Sequence, residues 1–489
     1  MDISYGSFTG LLAINFALID IGLKIIALII IPNNRKPSSA TAWLLAIFFI
    51  PLIGLPLFFL LGNSVLSKPR TKKQAEITKE YGRAFELDSK PDNVQIDESF
   101  QSSSNLNFNL TNLPVVSATS YELIEQYNQL FKKLITEVKK ARKSIWLEFY
   151  IITYDKATAE LLGELALARD RGVDVRVIYD HLGSWMYPGY KEMKDFFKKR
   201  KINAQASLPV KLFSSRYFQR PDLRNHRKIA VIDGRIGFMG SQNIIDKTYD
   251  KSKNIRKGLS WKELMVRLEG PIVRQLELVF ANDWYAETNE HLFKEEKPLK
   301  VSNSNKKLLC QLIPSGPGYA TENNLKAFNN LLYNARKKAV ITSPYFVPDE
   351  SMLGAITTAA ERGVEVTLFV SEIGDQFFVY HAQRSYYERL MQSGINIYMY
   401  KSPTVLHSKH MTIDDDIAVV GSSNMDIRSL ELNQEVSLLV KSKSFVKQMR
   451  QVEASYLRKS KKLNYNKWMK RHYSQKIVDN LARLTSGLQ

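Results

Sequence analysis

Two apolar runs open the chain. Residues 8–31 are apolar except for Asp20 and Lys24, and residues 40–61 form a second run that contains Pro51 and Pro56. About 20 apolar residues span a bilayer as a helix, so each run is long enough to cross. Asp20 and Lys24 stand one helical turn apart and are placed to pair. The two prolines predict a kink or a re-entrant course in the second run. No basic stretch precedes the first run, as a cleaved signal peptide would require. Residues 1–66 therefore read as a two-segment transmembrane anchor.

The pattern then turns polar. Residues 67–115 read as a juxtamembrane linker, with the run Ser102-Ser103-Ser104-Asn105 and room for one helix. Beyond it, Leu123, Tyr127, Leu130, Leu134 and Val138 recur every three or four residues and predict a helix. A strand over 144–152 follows, then a helix over 157–171 capped by Gly172, then an alternating strand over 173–179. The same order returns as a helix through 331–338, a strand over 339–343, a helix over 351–362 capped by Gly363 and a strand over 364–370. Arg171-Gly172-Val173 matches Arg362-Gly363-Val364. The repeated order predicts two tandem α/β domains, 116–300 and 301–489.

The duplication is sharpest in one motif. His226, Lys228, Asp233, Gly240, Ser241 and Asn243 recur as His407, Lys409, Asp414, Gly421, Ser422 and Asn424, all at an offset of 181 residues. Residues i and i+2 of a strand face the same way, so each His and Lys project together. Asp233-Gly234 offers a tight turn, and residues 236–239 read as the returning strand. Each copy supplies an imidazole, an ammonium and small polar donors, an inventory suited to phosphoryl chemistry. Glu263 and Glu435, each on a strand after its motif, are the candidates to orient a histidine.

Charge narrows the partners. Lys and Arg number 69 against 49 Asp and Glu, and the net +20 favours anionic partners such as lipid headgroups or nucleic acid. The single Cys310 excludes an intrachain disulfide. The stretch with Trp185, Tyr187, Tyr190, Phe196, Phe197, Phe213, Tyr217 and Phe218, followed by Arg216, Arg220 and Arg224, has two readings. It is a lipid-facing lip beside the site, or ordinary core aromatics with surface arginines. The basic tail, with Trp468, Ile477, Leu481 and Leu484 among lysines and arginines, likewise reads as closing helices or as a membrane-surface element. His181, His291, His381, His410 and His472 carry no motif and read as structural.

The twin motifs resemble the H-x-K-x4-D-x6-G-S-x-N signature of the phospholipase D superfamily. The flanks Leu223-Arg-Asn-His-Arg-Lys-Ile229, Tyr345-Phe-Val-Pro-Asp349 and the stretch from Asn424 to Glu435 are similar to those of bacterial cardiolipin synthases. The resemblance implies two α/β domains packed on a shared cleft, with both motifs meeting there. It implies His226 as nucleophile and His407 as acid/base, with Lys228 and Lys409 on the non-bridging oxygens. Asp233 and Asp414 complete the catalytic motif, though their place beside a turn suits them to securing hairpins. Ser241, Asn243, Ser422 and Asn424 would support the phosphate. Two departures stand out: Trp261-Lys-Glu263 where the family usually has Trp-Arg-Asp, and Met239-Gly240 where it often has Gly-Gly.

The activity so implied converts two phosphatidylglycerol molecules to cardiolipin and glycerol through a phosphohistidine. No metal or other cofactor is implied, because the lysines supply positive charge. The expected partners are phosphatidylglycerol and anionic membrane lipids rather than nucleic acid. The expected location is the cell membrane, multi-pass, with the catalytic domains on the cytoplasmic side by the positive-inside rule. The alternative is a membrane-bound phospholipase D or nuclease, in which water resolves the intermediate.

Overall fold

Proline sets the course of the N-terminal stretch. The computed structural model describes residues 4–33, 35–62, 70–74, 76, 98–210, 220–293 and 308–486. Ser4–Ile30 is one helix, and its window Ala13–Ile30, of mean hydropathy 2.2, is long and apolar enough to cross a membrane. Asp20 and Lys24 pair within it at 2.6 Å. The second run does not form one helix. Pro37–Phe49 stops at Ile50, whose φ of −138° leaves the helical region, and Pro51–Leu61 starts afresh. Pro51 has no N–H to continue the ladder and its ring crowds the preceding turn.

The two short helices fold back on each other. A Cβ on Gly54 would lie 2.6 Å from the carbonyl oxygen of Ala46, so only glycine permits this approach. Arg35, before the pair, donates to the carbonyl of Gly62, after it, and its guanidinium lies 4.9 Å from the Phe58 ring centroid. The hairpin therefore opens and closes at one point.

The catalytic part is built on two sheets of matching order. Among the described residues the first has seven strands. They run Ser120–Ile124, Met265–Glu269, Ile236–Gly240, Lys228–Ile232, Ser144–Phe149, Asp174–Asp180 and Asn203–Ser207. The second repeats this as Leu308–Ser315, Glu435–Lys441, Ile417–Gly421, His410–Ile413, Lys338–Thr342, Glu365–Ser371 and Asn396–Tyr400. Ser460–Lys462 extends one edge and Val116–Ala118 the other. The helices Tyr127–Lys140, Ala159–Asp170 and Glu350–Glu361 sit close to their expected places, whereas the helix expected through 331–338 is Asn323–Asn334, and Lys338 already opens the next strand. Gly172 and Gly363 follow the second helix of each half with φ of +88° and +91°, the left-handed conformation that ends a helix.

Two features of the boundary between linker and domain differ from expectation. Val116–Ala118 precedes the first domain in sequence yet pairs antiparallel with Leu308–Cys310 in the second sheet. Glu98–Thr111, read as linker, is a packed helix. Phe100 is fully buried in the core of the second half, and Asn107 Nδ2 donates to the carbonyl of Leu312 at 2.8 Å. The buried stripe is Phe100, Ser103, Ser104, Asn107 and Thr111, helical in spacing but mostly polar. Its hydrogen bonds make burial affordable, and an apolar-periodicity reading passes over it. Arg70 is also engaged, with the carboxylate of Glu287.

The halves share a core. Ile229, Val231, Met239 and Val266 from the first sheet pack in one cluster with Ala418, Val420, Val436 and Leu438 from the second. This face-to-face packing fixes the ends of equivalent strands against each other.

Candidate active site

Each motif begins just before a central strand. Lys228–Ile232 and His410–Ile413 run from the site into the core, so the polar residues at their starts are held by a buried, paired backbone. His226 N–H donates to the carbonyl of Gln434 at 2.9 Å, and His407 N–H to the carbonyl of Lys262 at 2.8 Å. Each histidine segment is thereby stitched to the other half. Leu406 sits opposite Lys262 in a short parallel pairing, and Asn225 bridges Gln434.

The carboxylates exchange in the same way. His226 Nδ1 lies 2.9 Å from Glu435 Oε1, and His407 Nδ1 lies 2.7 Å from Glu263 Oε1. Engaging Nδ1 turns Nε2 of each ring away from the carboxylate and leaves it for chemistry. The serines of the motif hold these carboxylates. Ser241 Oγ donates to Glu263 Oε2 at 2.5 Å and accepts from Leu264 N–H at 3.0 Å. Ser422 Oγ donates to Glu435 Oε2 and accepts from Val436 N–H at 3.0 Å. The serines, expected to support the phosphate, are here engaged with the glutamates. The glycines have a matching reason. A Cβ on Gly240 or Gly421 would stand 2.4 Å from the carbonyl oxygen of Leu264 or Val436, next to the glutamate.

Both lysines are buried, and each ammonium donates to the carbonyl of its own histidine at 2.5 Å. Lys409 Nζ also lies 3.0 Å from His407 Nδ1. Asn243 is spoken for on both sides: Oδ1 accepts from Ile151 N–H at 3.2 Å and Nδ2 donates to Tyr249 Oη at 3.0 Å. Asn424 Oδ1 is buried and has no hydrogen-bond partner among the described residues.

Asp233 and Asp414 stand apart from this group. Asp233 accepts backbone N–H bonds from Arg142, Lys143 and Ser144, and Asp414 does the same with Arg336, Lys337 and Lys338. Each lies seven positions after its histidine, roughly 20 Å away at the strand rise. Both adopt the left-handed region, with φ of +55° and +50°. They tie a hairpin turn to the start of the adjacent strand, and this anchorage lowers the pKa of Asp233 against the effect of burial. Their place in the motif is structural.

Electrostatics separates the two histidines. Burial, followed by the cations Lys228, Lys409, His407 and Arg428, drives His226 well below its ordinary pKa. Burial also lowers His407, but Glu263 opposes the shift. Glu263 is raised by burial and lowered more strongly by His407 and Lys409, so it stays ionised. Glu435 is pushed up to about 7 by burial. Burial lowers Lys409 to about 8 and Lys228 well below the usual lysine range. The site thus has one imidazole held neutral and one paired with a firm anion.

Several neighbours carried no signal in the repeat. The Tyr150 ring packs 4.9 Å from His226 and beneath Lys228 Nζ at 5.3 Å. Tyr249 and Tyr345 flank His407 at 6.3 and 6.0 Å. Arg224 pairs with buried Asp180 at 3.2 Å, and Asp180 also accepts from Asn225 N–H beside His226. Arg220 pairs with Asp222. Of the aromatic stretch, Phe197 is core and Trp185 is exposed, while Phe213, Arg216, Tyr217 and Phe218 lie outside the described residues. His381 sits on Asp479 and His410 on Thr342, at 2.7 and 3.0 Å.

The family model described as cardiolipin synthase, PLD-like domain, matches residues 134–284 and 328–455, more than half of the chain. The chain belongs to the cardiolipin synthase family. A second model, phospholipase D-nuclease N-terminal, matches residues 22–63. The chain is 32% identical over 477 residues to cardiolipin synthase A of Pectobacterium carotovorum, covering 95% of each. It is 31% identical to that of Wigglesworthia glossinidia brevipalpis, covering 93% of this chain and 92% of the relative. The fold is similar to phosphatidylserine synthase of Haemophilus influenzae, with a TM-score of 0.60 at 14% identity, over 81% of this chain and all of that one. Family membership makes this a phospholipase D-type enzyme, and the apolar N-terminal helix makes it a membrane-associated one.

Proposed function

We propose that this chain is a phosphatidyltransferase that joins two phosphatidylglycerol molecules into cardiolipin and releases glycerol. The crosswise pairing of His226 with Glu435 and His407 with Glu263 carries the reading. It yields two oriented imidazoles of unequal basicity with two lysines in one cleft. Neutral His226 attacks phosphorus through Nε2. The bond from phosphorus to the glycerol oxygen breaks, and His407, oriented by Glu263, protonates that oxygen. His407 then takes the proton from a hydroxyl of the second phosphatidylglycerol. That oxygen displaces His226 and forms the new phosphodiester. Lys228 and Lys409 offset charge on the non-bridging oxygens in a water-poor pocket.

Purified enzyme in phosphatidylglycerol vesicles should release glycerol equimolar with cardiolipin. Phosphatidic acid as the dominant product would mean that water resolves the intermediate and would replace this reading with a hydrolase. Enzyme denatured rapidly at alkaline pH, where the P–N bond survives, should carry a phosphatidyl group on His226, and His226→Ala should carry none.

We place the catalytic unit on the cytoplasmic side. The short helices are 13 and 11 residues, about 20 and 16 Å long at the helical rise. That is less than the roughly 30 Å hydrocarbon core. A hairpin closed by Arg35 and Gly62 enters and leaves on one face, in place of the second crossing expected from sequence. Arg35 and Lys36 then share a side with Arg70, Lys72 and Lys73, which the positive-inside rule assigns to the cytoplasm. Attachment of a fluorescent protein to either terminus reads the sidedness.

A further inference from the structure

The surface around the site mouth has an apolar character that neither the reaction nor the core uses. In the first half, strand Asp174–Asp180 leads through a short helix to Trp185 and Met186, which are 61% and 54% exposed. In the second half, the equivalent strand Glu365–Ser371 leads to Phe377 and Phe378, 62% and 58% exposed. The two pairs occupy matching places after matching strands. Each is tied to the reacting groups. Tyr187, next to Met186, packs edge-on against Tyr249, whose ring in turn meets His407 edge-on. Asp375, two residues before Phe377, accepts the Tyr345 hydroxyl at 2.9 Å, and the Tyr345 ring also meets His407 edge-on. Both ties end on His407, with Tyr249 at 6.3 Å and Tyr345 at 6.0 Å from its ring, so the two tips lead to one site.

The last helix adds to this surface and is built inside out. Tyr473–Leu484 packs its polar side inward: Asp479 is buried and pairs with His381, Arg384 and Arg471. About half a turn around, Tyr473, Ile477, Leu481 and Leu484 form an outward apolar stripe, with Leu484 80% exposed. His381, which anchors this helix, packs against the Phe377 ring at 4.4 Å, so the helix neighbours the second tip. A helix that spends its one buried carboxylate on docking and leaves its leucines outside is matched to an apolar phase.

We propose that the catalytic unit makes its own contact with the anionic phospholipid bilayer through Trp185-Met186, Phe377-Phe378 and the outer stripe of the last helix. This rests on the reading of the enzyme as acting on bilayer phospholipid, and it assigns the surface that presents that lipid to the cleft. The chain's net +20 favours an anionic bilayer as occupant, and the tie of both tips to one site favours the phase that supplies substrate. A reactant drawn from a bilayer has its headgroup at the interface, and apolar tips seated there shorten its path to His226 and His407.

The test uses the full chain reconstituted in phosphatidylglycerol vesicles, with single cysteines at positions 185, 377 and 481. Native Cys310 is buried and burial pushes its thiol far up, so engineered cysteines label selectively. The control is Leu167→Cys, exposed on the helix Ala159–Asp170, whose end precedes the opposite end of strand Asp174–Asp180. A solvent-sensitive fluorophore should be quenched several-fold more by bromine-labelled lipid at 185, 377 and 481 than at 167. Equal iodide access at all four positions would overturn the proposal. So would shielding that depends on a second labelled chain and not on lipid, which would make the face an interface between copies. The readout needs no turnover, so it stands even where the product analysis points to hydrolysis.

Discussion

At the scale of single residues, the site is two imidazole–carboxylate pairs that differ in how firmly the carboxylate holds its charge. Glu263 is ionised beside His407 and Lys409, whereas burial lifts Glu435 to about 7 beside a neutral His226. This difference suits one histidine to attack and the other to carry a proton. Removing either charge while keeping its shape tests it. Glu263→Gln should lower kcat by about 10²–10⁴-fold, the range for a lost proton-transfer function, with little change in KM. Glu435→Gln should slow formation of the phosphohistidine in a rapid-quench experiment. The lysines add a pH dependence of known sign. Lys409 is charged below its pKa of about 8 and neutral above it. Because it serves as a cation, kcat/KM should fall as pH rises through about 8, and a profile flat to higher pH would remove Lys409 from the phosphate. Asp233→Asn should behave differently. It leaves the chemistry alone and loosens three backbone hydrogen bonds, so it should lower the melting temperature and leave kcat nearly unchanged.

At the scale of elements, the two motif strands look equivalent but are anchored unequally. Arg227 lies between His226 and Lys228 and points the other way, into the protein. It pairs with Asp283, donates to the Glu435 carbonyl at 3.1 Å and reaches the Ser315 carbonyl at 3.3 Å. Buried Glu148, bonded to Asn225, lies close enough to Asp283 that burial and this neighbour raise its pKa well above the carboxylate range. The second copy has Ser408 at the matching position. Arg227 is thus a buried cation that locks the segment carrying His226 onto the strand carrying Glu435. Arg227→Ala should cost about 3–5 kcal/mol, because it leaves Asp283 buried without its partner. Thermal unfolding in detergent would show it, and Ser408→Ala should barely move the same transition. Much of this scale was legible in the chain. The 181-residue offset gave the paired strands, and the Arg-Gly-Val repeats gave the helix ends at Gly172 and Gly363. The helix Glu98–Thr111 was not legible, because its inner face is mostly serine, asparagine and threonine, with Ser103 and Asn107 bonded to distant partners and Ser104 and Thr111 to the helix's own backbone. Strand Val116–Ala118 was not either, since nothing local tells a short strand which of two similar sheets will take it. The hairpin at Pro51 was half legible: the prolines announce a break, but the return needs the Arg35–Gly62 contact.

At the scale of the whole molecule, the repeat picks out the two histidines and two glutamates but not which serves which, and that assignment decides whether half of the enzyme can work. Glu263 lies 37 residues after His226 in the chain, yet it serves His407. An isolated first half would hold His226 without Glu435, and an isolated second half His407 without Glu263. Each would also expose the shared face of Ile229, Val231, Ala418 and Val420. Neither half should turn over phosphatidylglycerol alone. The nicked whole is another matter. A protease site inserted between residues 293 and 308 cuts the connection without touching a described strand. Val116–Ala118, on the N-terminal fragment, remains paired with Leu308–Cys310 on the other, and the helix Glu98–Thr111 remains bonded to Leu312. The cut enzyme should therefore stay associated through size-exclusion chromatography and keep most of its cardiolipin-forming activity. Separating the fragments in denaturant should abolish it, and refolding them together should restore it. Turnover by either fragment alone would show that a histidine can act without the carboxylate of the other half, and the crosswise arrangement would then be a packing feature with no part in the reaction.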